Sequence, residues 1–124
     1  MAIRKRRRFP RARIDRPVLV RRLQTDPAQE PFEGFAKARV LGAGGCMIEA
    51  SEPLGYASVA DLLISLGDGV VRADSRVVWE KELPDRHEAR HQVGVEFLRI
   101  SPEHRRLIEK VVERARPERA ASAP

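Results

Sequence analysis

At 124 residues the chain has room for one compact domain of about 100 residues with its tails. Hydrophobic residues at 42% and charged residues at 34% suit a soluble domain, and no apolar run approaches the ~18 residues that span a bilayer, so membrane insertion is not expected. The net charge of +6 is lopsided: residues 1–16 hold eight Lys/Arg and one Asp, a formal +7, while the rest holds 16 Lys/Arg against 17 Asp/Glu, a formal −1. A single cysteine rules out an internal disulfide and fits a reducing compartment, with the cytoplasm as the expected location.

In chain order, residues 1–16 read as a flexible basic arm. They carry little apolar surface to bury, and Pro10 discourages a helix through the middle. No apolar segment or small-residue cleavage site follows the arm, so it is not a secretory signal. From Pro17 the pattern alternates, with Val18 and Val20 on one face of a first strand. Gln24 to Gly34 reads as a loop, and Phe35 to Leu41 as a second strand running into Gly42-Ala43-Gly44-Gly45. Cys46 to Ala50 resumes extended structure.

Ser51 to Ala57 reads as a turn region, and Val59 to Leu66 as a further strand. Gly67-Asp68-Gly69 then marks a hairpin to Val70–Trp79. A polar loop from Leu83 to Arg90 precedes the last strand, His91 to Phe97. There the period changes. Ser101 is a good N-cap, Pro102 takes the first helical position and Glu103 suits the positive end. Leu107, Ile108, Val111, Val112 and Ala115 form an apolar helical stripe, and the helix is predicted to stop before Pro117. The expected architecture is mainly β: a small six-stranded antiparallel barrel with a C-terminal amphipathic helix over residues 17–116, and a disordered tail at 117–124.

The order of these features resembles the PilZ domain over roughly residues 4–114. It is carried by Arg6-Arg7-Arg8-Phe9-Pro10-Arg11 before the first strand, the glycine turn after the second, and Arg-Val-Val-Trp closing a middle strand. Gly-Val-Glu-Phe in the last strand and the Ser-Pro-Glu helix complete it. The resemblance implies a barrel that binds the bacterial second messenger cyclic di-GMP. The family's first motif, Arg-Arg-x-x-x-Arg, falls on Arg6, Arg7 and Arg11, with Arg8 as the stand-in if the register slips by one. The second, Asp/Asn-x-Ser-x-x-Gly, falls on Val40, Gly42 and Gly45 without gaps. A two-residue deletion would put Gly42 in the acidic position instead. Either way only the last glycine is kept.

The chemistry expected of these positions is specific. Guanidinium groups fork onto phosphate oxygens and pair bidentately with guanine O6 and N7, so Arg6, Arg7 and Arg11 suit a cyclic dinucleotide. Gly42, Gly44 and Gly45 let backbone groups approach a ligand, or simply make the turn. Val40 has only packing to offer. Losing an aspartate and a serine contact costs about 2.5–4 kcal/mol, roughly 60- to 1000-fold in affinity. Trp79 reads as core or rim packing ahead of base stacking, and Cys46 as a buried thiol. Among His87, His91 and His104, the four-residue spacing of His87 and His91 serves a metal only on a helix, and that segment reads as loop running into strand, so no metal or cofactor is expected, and no nucleophile–base pairing suggests an enzyme.

Three readings follow. The leading one is a cyclic di-GMP receptor whose arm closes over the ligand and alters the surface offered to an unidentified protein partner. The second is a degenerate PilZ adaptor that binds protein without the nucleotide. The third, nucleic-acid binding by the arm, is disfavoured by the near-neutral body.

Overall fold

The computed structural model describes residues 10–23, 31–84 and 90–122, with side chains as far as Ala115. Its strands are β1 (Arg11–Arg22), β2 (Phe32–Gly42), β3 (Gly45–Ala50), β4 (Val59–Ser65), β5 (Val70–Leu83) and β6 (Arg90–Ile100), followed by the helix α1 (Pro102–Ser122). All pairings are antiparallel, and the strands close in the order β1-β2-β3-β6-β5-β4. Closure removes the sheet's edges, which is how so short a chain avoids exposing unpaired strand backbone.

The interior follows from the period of two. Ala12, Leu41, Cys46, Val95 and Val77 sit opposite one another in neighbouring strands and are all buried. Val20, Leu62, Ala73, Ile48 and Val93 add further inward positions. Outside, Leu19 opposes both Phe35 and Leu63, and Phe35 is 79% exposed, the most open of the large apolar side chains described.

A barrel still has two open ends, and each is sealed differently. At one, α1 lays Ile108 and Val112 into the core, flanked by Leu107, Val111 and Ala115. Its start is capped as the sequence predicts: the His104 N–H donates to Ser101 Oγ at 3.1 Å. Asp68, in the β4–β5 turn, accepts from Arg114 at 2.8 Å, and that guanidinium holds the Asp68 carboxyl below its ordinary 3.8. At the other end Leu54 plugs the opening, fully buried. Its loop is held on both sides. Glu80 accepts from the Leu54 and Gly55 amides, while Arg22 Nη1 and Ser58 Oγ donate to the Leu54 carbonyl at 3.0 and 2.9 Å.

Asp61 is the buried carboxylate of the outer wall. It lies in β4 between Arg21 at 3.2 Å and Arg72 at 3.0 Å, and those contacts answer the like charge of Asp74 directly opposite. The hydrogen bond and negative charge of Asp61 raise the pKa of the Arg72 guanidinium.

β5 and β6 run on to Leu83 and Ile100, past the expected Trp79 and Phe97, and three further boundaries differ from the sequence reading. β1 begins at Arg11, not at Pro17, because Ala12 and Ile14 turn inward between the exposed Arg11 and Arg13; residues 11–16, expected in the arm, are part of the sheet. β2 begins at Phe32, inside the expected loop, with Phe32 packed on the core and 5.9 Å below the Arg22 guanidinium. The helix runs to Ser122 through Pro117, so the proline removes one intrahelical bond without ending the helix. The remainder of the expected arm, residues 1–9, lies outside the described residues.

Ile108→Ala and Leu54→Ala should each lower unfolding free energy by about 2–5 kcal/mol in denaturant titrations, while Phe35→Ala should change it by less than about 0.5 kcal/mol. Burial pushes the Cys46 thiol from 9.0 up to about 12. Its contribution to stability is therefore present below pH 9 and is lost as the pH climbs towards 12. Alkylation of Cys46 at pH 8 should accordingly proceed only as fast as the chain opens.

Candidate functional site

The glycine turn between β2 and β3 lies beside Arg11 at the start of β1. Arg11 opposes Gly42, Gly42 opposes Gly45, Gly45 opposes Glu96 and Glu96 opposes Arg76. Because Ala12 and its row point inward, this adjoining row points out. Two residues along is a second outward row: Arg13, Val40, Met47, Gly94 and Trp79. The two rows cross five of the barrel's six strands, about 19 Å measured along the curved sheet at the usual inter-strand spacing, with β2, β3 and β6 at the middle of the patch and β1 and β5 at its flanks.

Trp79 reaches this surface through a bulge. From the inward Val77, simple alternation would turn Trp79 into the core; the register shift between Val77 and Trp79 pairs it with Gly94 instead. The indole lies directly on Gly94, where a Cβ would come within 2.7 Å of the ring's Cδ1 and nearer still to Nε1. Trp79 remains 42% exposed, an aromatic surface on the β5 flank of the patch with Arg76, while Arg11 and Arg13 stand on the β1 flank. Sequence reasoning ranked this residue as packing. The signal available was the glycine of Gly-Val-Glu-Phe, but its pairing with Trp79 depends on the bulge.

The glycines of the turn serve close backbone approaches. At Gly45 a Cβ would collide with the Val95 carbonyl, and at Gly42 it would lie 2.8 Å from the Pro10 carbonyl oxygen. Gly44 accepts from the Phe97 amide at 2.9 Å. Val40, which the ungapped register sets at the motif's acidic position, is half-buried between Arg13 and Met47 and brings no polar side-chain group. Arg6, Arg7 and Arg8 lie outside the described residues; Arg11 is placed on the patch.

Charge on the patch is basic. Arg76 and Glu96 approach at 3.9 Å, each about half exposed, so that contact contributes little to stability. Arg11 and Arg13 add two cations. Asp15 and Arg39, each in a stretch where the register slips, meet at 3.9 Å. Beside the patch a cleft of about 450 Å³ is lined by Pro10 and Ala43 on the barrel side and by Arg106, Glu109, Lys110, Val112 and Glu113 of α1. Among the described residues no three His, Cys, Asp or Glu side chains converge as metal ligands, and no helix is long and apolar enough to cross a membrane.

The family model for the PilZ domain matches residues 5–114. Among solved structures, MotI/DgrA of Bacillus subtilis superposes with a TM-score of 0.68 at 16% identity, covering 92% of this chain and 53% of that one. The cyclic di-GMP complex of K. pneumonia MrkH gives 0.69 at 19% identity, covering 98% and 57%. The PilZ domain of Escherichia coli YcgR, solved with cyclic di-GMP, gives 0.63 at 18% identity over 96% of this chain and 100% of that one. The chain thus spans little more than half of MotI and MrkH, and likeness at these identities carries the fold alone. A comparison with curated proteins finds no match.

Trp79 is the chain's only tryptophan, so its fluorescence reports this surface alone. Gly94→Ala should push the indole off the sheet, shifting emission to longer wavelength and increasing quenching by iodide. An unchanged spectrum would mean the indole does not rest on Gly94.

Proposed function

The chain belongs to the PilZ domain family, and from that premise we propose that it is a receptor for cyclic di-GMP, which lies on the five-strand outer patch and is clamped by arginines of the arm. The observation that carries this reading is the position of Arg11: the last arginine of the first motif is fixed opposite the glycine turn that ends the second. Arg7 stands four residues earlier, at most about 14 Å of chain away. Its guanidinium can therefore reach phosphate or guanine edges over most of the patch. Arg6 and Arg8 add reach and charge, and Gly44 and Gly45 keep the floor low beneath the ligand.

The energetics decide how the altered second motif is read. An absent acid and serine cost about 2.5–4 kcal/mol, whereas stacking a base on an aromatic contributes about 1–3 kcal/mol. Trp79, exposed at the far end of the patch, offsets much of that loss. Closing the arm changes the surface next to α1, and that changed surface is what a partner protein would read. In this reading the module is a receptor and not an enzyme, acting in a reducing, cytoplasmic setting.

One observation favours the alternative, an adaptor that binds protein without the nucleotide. In the ungapped register Val40 puts an apolar side chain where the family motif has Asp or Asn. Calorimetric titration with cyclic di-GMP separates the two readings. Saturable binding that Arg7→Ala/Arg11→Ala abolishes supports the receptor, and Trp79→Ala should then weaken it by about 5- to 150-fold. Absence of heat up to several hundred micromolar nucleotide would leave the adaptor.

A further inference from the structure

In the ungapped register the second motif's serine position is Gly42, and the space a side chain would fill there is occupied. Gly42 opposes Arg11 in the β1–β2 ladder. A Cβ added there would stand 2.8 Å from the Pro10 carbonyl oxygen and 3.4 Å from Arg11 Cγ. The first distance is shorter than side-chain carbons tolerate, and the atom it meets is backbone, not the swinging end of a long side chain. That backbone can yield in few ways. The Pro10 ring fixes its own φ, and two residues on Ala12 is buried in the core row at 2% exposure. The room open to a displaced Pro10 is the cleft against Arg106, Lys110 and Val112 of α1, off the strand patch.

We propose that Gly42 is a positioning residue: its bare Cα seats the root of the arm at Pro10 and Arg11, and any side chain there, the family motif's serine included, unseats the root and weakens cyclic di-GMP binding. The second half of this statement rests on the receptor reading; the seat itself does not. The consequence runs against the motif. The glycine that removes a serine contact is the condition for bringing Arg11 down onto the patch, so restoring the serine restores nothing.

The test compares Gly42→Ser and Gly42→Ala with Gly69→Ser, a control whose new Cβ meets only Leu107 Cδ1 at 3.6 Å. Trypsin cleavage after Arg11 and Arg13, followed by mass spectrometry without nucleotide, reads the seat; calorimetry reads binding. Both Gly42 variants should be cut severalfold faster than the parent and bind cyclic di-GMP at least about tenfold more weakly, with Gly69→Ser matching the parent. Parent-like cleavage in Gly42→Ser, or tighter binding, overturns the proposal. If the parent binds no nucleotide, the receptor reading fails by itself and cleavage alone decides the seat. Should both variants fail to fold, hydrogen exchange over residues 11–13 of the parent decides it: protection comparable to mid-β1 is expected, and exchange at the rate of open chain would refute it.

Discussion

Two backbone contacts at one turn constrain the rest of this molecule: Pro10 on Gly42 and Val95 on Gly45. The first fixes where the basic segment joins the barrel, and the second brings β6 against β3. Neither contact survives a side chain at the glycine beneath it. The β2–β3 turn is therefore glycine-rich for reasons of packing before any ligand is considered. Function, where it uses the turn, uses a surface that the fold already requires to be low.

The barrel holds that turn in place by sealing both of its ends. Ile108 and Val112 of α1 close the end beside the arm, and Leu54, pinned by Glu80, Arg22 and Ser58, closes the other. Between them the inward row Ala12–Leu41–Cys46–Val95–Val77 runs beneath the outward patch, so every patch residue except Trp79, which the bulge sets apart, is flanked along its strand by a core residue. That arrangement suits a binding surface: the side chains that would touch a ligand stand on rigid strands. The helix that seals the near end also forms one wall of the cleft beside Pro10.

Much of this was readable from periodicity. Val18 and Val20, the Gly67-Asp68-Gly69 hairpin and the Ser101 cap each depend on nearest neighbours, and each appears where local pattern puts it. The start of β1 did not, because Arg-Ala-Arg-Ile advertises charge while its burial rests on one alanine and one isoleucine. Phe32 likewise joins β2 only through packing and its contact with Arg22, ten residues away. The site was half legible. Arg11 and the glycines announce themselves by motif, but Trp79 reaches the patch by a bulge, and the stack on Gly94 exists only once β5 and β6 are in register. Asp61 shows the same limit: its partners Arg21 and Arg72 come from two other strands.

The most direct test of the patch as the nucleotide site is a backbone amide and indole titration by NMR with cyclic di-GMP. Signals of Arg11, Arg13, Val40, Met47, Gly94 and Trp79 should shift and saturate together, while Leu19, Phe35 and Leu63 on the other outer face stay still. A spectrum unchanged over the patch, or shifts confined to the Leu19–Phe35–Leu63 face, would contradict it.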